Sequence, residues 1–371
     1  MEYRTGKVEK MSIDLASVYK GKKVFVTGHT GFKGSWLITW LHLLGANVKG
    51  YALAPENEND LYNALQGDEL CESVIADIRD KKRLAEEILN FEPDFIFHMA
   101  AQPLVRLSYE LPAYTFEVNA QGTAHVLDAL RLLTKPCVAV MITTDKVYEN
   151  LETGHYYKET DRLGGFDPYS ASKACAELVI DSYRKSFFNF ASYRSHRKSV
   201  SSARAGNVIG GGDWAKDRII PDIIRSLNKK EPVMLRNPVS IRPWQHVLEP
   251  LEGYLILGAQ QINNAEKFST AFNFGPHPEN SLQVSILADK AVQEWGEGII
   301  VNESKDVSDY HEAGLLHLDI SKATSELNWS PSWDINKTIE TTINWYKAFL
   351  LNKKNARKLI ESDINKKINN D

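Results

Sequence analysis

Short apolar runs alternate, through the first half of the chain, with stretches whose apolar residues recur at helical spacing. Residues 23–27 (KVFVT), 47–53 (NVKGYAL), 73–76, 95–98 and 138–142 read as buried strands. Residues 34–44 (GSWLITWLHLL), 81–90, 114–133 and 169–188 fall between them and read as helices. Apolar strands separated by helices predict an α/β fold, a doubly wound parallel sheet covered on both faces. After Gly206 the regularity fades. Gly, Pro and Trp become frequent, as in GGGDW at 210–214 and RPW at 242–244. That change predicts a smaller C-terminal lobe, partly built from loops, that closes over a ligand. The expected organisation is a loose lead-in over residues 1–20 and a main domain over 21–206, to which some later strands and helices return. A substrate-binding lobe over 207–350 and a charged, solvated helical tail over 351–371 complete it.

Composition narrows the function classes. The chain has 371 residues, 43% hydrophobic and 25% charged, which is ordinary for a globular protein. A formal net charge of −4 gives no reason to expect nucleic acid or an anionic membrane as partner. No apolar stretch is long enough to span a bilayer, and residues 1–22 are too polar for a signal peptide. Three cysteines without CxxC spacing predict neither a disulfide framework nor a metal site, and a reducing cytoplasm is the expected location.

Chemistry first enters at the turn after the first strand, TGHTGFKG, with Gly28, Gly31 and Gly34. A tight turn, a backbone that must approach a pyrophosphate and a helix packed on a strand each favour glycine. The helix N-terminus then offers free N–H groups and its positive end to the phosphates. Thr30 and Phe32 share this turn and join the candidate cofactor contacts, as do Asn119 and Thr143. Asp77 and Ile78 follow the third strand, where a carboxylate can accept from an adenine amine. Ala100, Ala101 and Gln102 follow the fourth, where small residues let a ribose pass close to the backbone. The second strand ends Tyr51-Ala52-Leu53-Ala54, and the lack of an Arg there to pair a 2′-phosphate favours NAD. A Rossmann domain binding NAD is therefore expected.

Tyr169 and Lys173 stand at i and i+4 on one helix face, in YSASK. A phenol ordinarily titrates near pH 10, and a neighbouring ammonium together with a nicotinamide cation would lower that value and make Tyr169 a usable base. About 25 residues earlier the fifth strand ends in Thr143-Thr144-Asp145-Lys146, at the sheet edge where sites form in such folds. The Thr144 hydroxyl there can donate to an oxygen being oxidised.

Together TGxxGxxG, HxAAQ, the strand-end Thr and YxxxK resemble the extended short-chain dehydrogenase family, over roughly residues 20–350. The resemblance implies a nucleotide-sugar substrate and Tyr169, Lys173 and Thr144 acting at one sugar oxygen. TTDK at 143–146 is similar to the TSDK of its CDP-glucose 4,6-dehydratase branch, with the hydroxyl kept at Thr144. So are HMAAQPLVRLSY, ARAGNVIGGGDWAKDRIIPDIIR and RNPVSIRPWQHVLEPLEGY. That likeness implies Asp145 as the acid for water loss and Lys146 as the base at C5, giving a 4-keto-6-deoxy sugar. Arg218 and Arg242 are candidates for the diphosphate, whose geometry a guanidinium fork matches. Asn207, Arg106, Arg236, Trp214, His246 and Tyr310 are further substrate candidates. Of these, His246 reads as structural rather than catalytic, and Trp214 either lines the nucleotide or fills the lobe core. A 4-epimerase, a 4,6-dehydratase of another nucleotide sugar and a non-catalytic NAD-binding protein are the rival readings. The helices around 114–133 and 169–188 resemble those that pair across family dimers, which implies a homodimer or a tetramer of dimers.

Overall fold

The computed structural model describes residues 13–302 and 315–369. Seven parallel strands form the central sheet: β1 (Lys23–Thr27), β2 (Asn47–Ala52), β3 (Glu72–Ile75), β4 (Phe95–His98), β5 (Cys137–Ile142), β6 (Lys198–Ala205) and β7 (Ala271–Phe274). Their order is β7-β6-β5-β4-β1-β2-β3, so the chain winds outward from β1 in both directions. Register aligns the carboxyl ends: Thr27 stands opposite Tyr51 and His98, and His98 opposite Met141. The loops after β1, β4 and β5 therefore open at one edge, beside the switch in strand order. Thr27 fastens two of them. Its hydroxyl oxygen lies 2.8 Å from His98 Nδ1 and accepts from the amides of Met99 and Ala100 at 3.0 and 3.1 Å.

Helices cover both faces because the strands are apolar on both. One core holds Trp36, Trp40, Phe97, Phe272 and Trp329; the other, Phe25, Ile96, Val126 and Ile180. Each such side chain contributes about 1.5–3 kcal/mol through burial. β7 comes from the later half of the chain, and it completes the edge of the main sheet beside β6. What remains of the lobe is held by two-stranded pairs, Ile241–Pro243 with Ser281–Gln283 and Tyr156–Tyr157 with His317–Leu318.

Three expectations need correction. The described part of the lead-in is not loose: α1 (Leu15–Tyr19) is capped by Asp14, and the buried Tyr19 hydroxyl donates to the Leu255 carbonyl at 2.7 Å. The region read as one helix over 114–133 is broken by a π-turn at Glu117–Gln121. Asn119 explains the break, for its amide side chain bonds the Gln102 backbone and Ser172 rather than facing solvent. The tail forms helix Ala356–Asn369, docked rather than solvated, because Ala356, Ile360 and Ile364 make an apolar stripe among its charges. Among the described residues no helix is long and apolar enough to cross a membrane.

Candidate active site

The Gly-rich turn joins β1 to α2 (Phe32–Leu43), whose N-terminus carries no side-chain cap. Gly28 sits at φ +75°, and a Cβ there would meet the Ala100 amide nitrogen at 2.7 Å. A Cβ on Gly34 would strike the Gly28 carbonyl oxygen at 2.0 Å, whereas Gly31 borders open space. The glycines thus bring β1, the β4 loop and the helix start together around a cradle that suits a dinucleotide pyrophosphate. Thr30 donates to the Leu53 carbonyl at 2.9 Å, which ties the turn to the end of β2. Phe32 packs against the core. Ala100 and Ala101 are half-buried in the β4 loop, Gln102 is buried against Asn119, and Ile78 is buried beneath Gly122. The Asp77 carboxylate is engaged by Arg79 at 2.7 Å, and Arg79 holds it below the usual carboxylate range. The Thr143 hydroxyl is committed to Glu177 at 2.6 Å, so it is not a free donor for a ligand.

At the end of β5 the chain enters a short turn, Asp145–Val147, capped by Thr144. Thr144 Oγ1 donates to Asp145 Oδ1 at 2.9 Å. Asp145 is 4% exposed. Burial raises its pKa above the ordinary value, opposed by the Lys146 cation, the Thr144 hydrogen bond and Arg242. Lys146 follows, half-buried. Helix Pro168–Ser186 starts on Pro168 with Asp167 as its cap, and its first turns place Tyr169 and Lys173 beside this strand end. Contrary to the lowering expected from its lysine neighbour, burial in the unliganded site pushes the Tyr169 phenol up to about 12, while a hydrogen bond with Thr144 pulls the other way. Lys173 Nζ donates to the Ile142 carbonyl at 3.3 Å. Burial lowers it to about 8, and Glu177 opposes that.

Thr144, Asp145, Lys146, Tyr169 and Lys173 therefore converge, and the charges of Arg218 and Arg242 reach them. Arg218 is anchored on Asp213 at 2.8 Å. Arg236 and Arg106 share Asp217, at 2.7 and 3.6 Å, and form an outer basic rim. Asn207 is half-buried just after β6, and Gly206 before it abuts the Asp145 carboxylate. Trp214 packs edge-on against Tyr346 as part of the core. His246 does not line the site. It is fully buried between Trp36 and Trp333, where burial holds it neutral with a pKa near 3. Tyr310 lies outside the described residues. Among the described residues no cluster of His, Cys, Asp and Glu could hold a metal ion.

Sequence reasoning missed three residues here. Lys33, inside the Gly-rich turn, reaches 5.9 Å from the centre of the buried Tyr254 ring. Burial lowers it to about 8, with Arg218 and Lys173 adding to the effect and Asp145 opposing it. Glu177 and Arg204 form a buried ion pair at 2.8 Å behind the strand end. Signals existed for all three: a cation at a helix start, a carboxylate one turn beyond Lys173, and an arginine in a buried strand.

A family described as GDP-mannose 4,6 dehydratase matches residues 25–342. The CDP-glucose 4,6-dehydratase of Salmonella typhimurium is 49% identical over 335 residues, 90% of this chain and 92% of that protein. Among solved structures, an epimerase from Methanothermobacter thermautotrophicus superposes with a TM-score of 0.75 at 22% identity, covering 96% of this chain and 99% of that one. The dTDP-glucose 4,6-dehydratase of Streptomyces venezuelae, solved with NAD bound, gives 0.73 at 24% identity, with 88% and 97% covered. These two likenesses concern the fold.

Proposed function

The chain belongs to the GDP-mannose 4,6 dehydratase family, and from that premise we propose that it is an NAD-dependent nucleotide-sugar 4,6-dehydratase acting on CDP-glucose. The 49% identity to a CDP-glucose 4,6-dehydratase supports the substrate. One observation carries the reaction type: a buried carboxylic acid, Asp145, hydrogen-bonded to Thr144 and followed by Lys146. A simple oxidation needs Thr144, Tyr169 and Lys173 only. An elimination needs an acid and a base besides.

Gly28, Gly31 and Gly34 would hold the NAD pyrophosphate, with Ala100 and Ala101 along the ribose and Lys173 on its hydroxyls. When bound, NAD supplies a hydride acceptor at C4 of the hexose and the hydride that returns to C6. Tyr169 Oη takes the C4 hydroxyl proton, and Thr144 Oγ1, which donates to Asp145 in the unliganded site, turns its one hydrogen to the same oxygen when the sugar binds. With C4 a ketone, the C5 hydrogen becomes acidic; Lys146 Nζ removes it as a proton and gives a proton back to C5 when hydride reaches C6. Asp145, whose pKa burial raises, gives a proton to the C6 hydroxyl, which leaves as water. Arg218 and Arg242 grip the diphosphate, and Asn207 the sugar side; the Arg236–Arg106 rim steers the anion inward.

A homodimer, or a tetramer of dimers, is the assembly we favour, supported by exposed Phe116 and Leu178 on the flanking helices. Three unpaired cysteines fit a reducing cytoplasm. Incubation with CDP-glucose and NAD tests the activity: the expected product is lighter than its substrate by one water. A product of unchanged mass would make the protein an epimerase. Water loss from another nucleotide sugar, and none from CDP-glucose, would move the substrate assignment.

A further inference from the structure

Behind the reacting groups lies a polar network enclosed by apolar residues. Glu177 is 1% exposed and Arg204 4%. The Glu177 carboxylate accepts from Thr143 Oγ1 at 2.6 Å, Ser202 Oγ at 2.9 Å and Arg204 Nη2 at 2.8 Å. Arg204 Nη1 donates to the Tyr148 hydroxyl at 2.8 Å and the Glu159 carbonyl at 3.1 Å. Tyr148 in turn donates to Asn273 Oδ1 at 2.7 Å, on β7. One ion pair thus joins β5, β6 and β7 to the helix that carries Tyr169 and Lys173. A buried pair is costly to desolvate, and well-packed apolar residues often replace one without loss of stability. Its position points to another use. Glu177 stands one helical turn beyond Lys173 and holds Thr143, the neighbour of Thr144.

We infer that Glu177 and Arg204 are positioning residues for the reaction: Glu177 seats the strand end that presents Thr144 and supplies the counter-charge of Lys173, and Arg204 sets how much of that charge Lys173 feels. The inference rests on the dehydratase reading. Lys173 must carry its proton to hold the ribose and assist Tyr169. Burial and three groups bear on that proton. Burial disfavours it and Glu177 retains it. Lys33, from α2, and Lys173 repel one another. His98, from β4, is kept neutral by burial with a pKa near 3 and contributes no opposing charge. Glu177 is thus the one carboxylate among the named influences on Lys173.

The two halves of the pair predict opposite effects. Glu177→Gln removes the counter-charge, so the Lys173 pKa falls. Arg204→Gln leaves Glu177 un-neutralised, so it rises. The alkaline limb of kcat/KM moves down by about one pH unit in the first variant and up in the second, a size typical of one close charge. Arg204→Lys keeps the parent's limb. Both variants are compared in a Lys33→Met background as well, because Lys33 titrates in the same range. Independently of turnover, the full chain labelled with 13C at lysine Cε reports the Lys173 titration directly, assigned by its loss in Lys173→Met. Opposite NMR shifts uphold the inference even if no water is lost from any nucleotide sugar, an outcome that would sink only the dehydratase reading. Shifts in the same direction, or none in either variant, overturn it and reduce the pair to a structural tie. Should Arg204→Gln fail to fold, the Glu177→Gln titration alone decides.

Discussion

Thr144 Oγ1 donates its hydrogen to Asp145 Oδ1 at 2.9 Å and also lies within hydrogen-bond reach of Tyr169, so one hydroxyl links the proposed acid of the elimination to the proposed base of the oxidation. The two steps therefore separate by mutation. Asp145→Asn keeps the strand end and an acceptor for Thr144 but has no proton to give to the C6 oxygen. Turnover should drop by roughly 10²–10⁴, the usual worth of a placed acid. Reduced cofactor should accumulate on mixing with substrate, because C4 oxidation survives. Full turnover in this variant would remove Asp145 from the mechanism.

The same substitution should stabilise the protein. The folded-state pKa of Asp145 lies above its ordinary value. A group raised in this way favours folding below the ordinary carboxyl pKa, and that favour is lost as pH rises through the folded value. The stability gain of Asp145→Asn should therefore grow from acid toward neutral pH, which urea unfolding at several pH values measures. A gain largest in acid would contradict the burial argument.

Thr144→Val removes the shared hydroxyl. The Tyr169 phenol and Asp145 each lose an interaction that lowers their pKa. C4 oxidation should slow by about 10²–10³, similar to removing one oriented donor elsewhere. Thr144→Ser should remain within a few-fold of the parent. Equal losses in Val and Ser variants would mean that the methyl group, not the hydroxyl, matters.

The sheet and the convergence of Thr144, Tyr169 and Lys173 were legible because they rest on local signals: apolar runs, glycine spacing, an i,i+4 pair. Strand β7 and the docking of the last helix were not, since each depends on a partner distant in sequence. AFNF at 271–274 is too short to announce a strand until β6 lies beside it. His246, carried among the substrate candidates though it read as structural, is shown to be core by its Trp36 and Trp333 neighbours, which lie far from it in sequence. Lys33 was overlooked because the glycines around it drew the attention of motif reading to the backbone.

Lys33 breaks two local rules, and stability should register both. A cation sits in the first turn of α2, at the positive helix end, with no hydrogen bond or ion pair among the described residues. Burial and two nearby cations hold its pKa near 8 instead of 10.5. The penalty is complete below about pH 8 and disappears as both folded and unfolded chains lose the proton above 10.5. Lys33→Met should then stabilise the unliganded protein at pH ~7 by about 1–2 kcal/mol, discounted because the side chain is only half-buried. The gain should vanish at strongly alkaline pH. A destabilised methionine variant at neutral pH would show that the ammonium has a partner worth more than its burial costs.

The last helix offers a test of the opposite sign. Lys367 Nζ lies 2.6 Å from Glu249, with the two side chains 1% and 0% exposed, and also donates to Ser332 Oγ at 2.6 Å. Glu249 additionally accepts from the Trp333 amide at 2.9 Å, so the pair pins the helix to the segment around residue 333. Lys367→Met strands a buried carboxylate, and breaking such a pair costs about 3–5 kcal/mol. Neutralising both ends, as Lys367→Met with Glu249→Gln, should cost less than Lys367→Met alone, because the fully buried Glu249 charge is gone and only Glu252, 3.2 Å from Lys367 and 26% exposed, is left without its partner. Denaturant midpoints of the three proteins measure this. If the double variant proved less stable than Lys367→Met, the attraction between the charges would outweigh their desolvation.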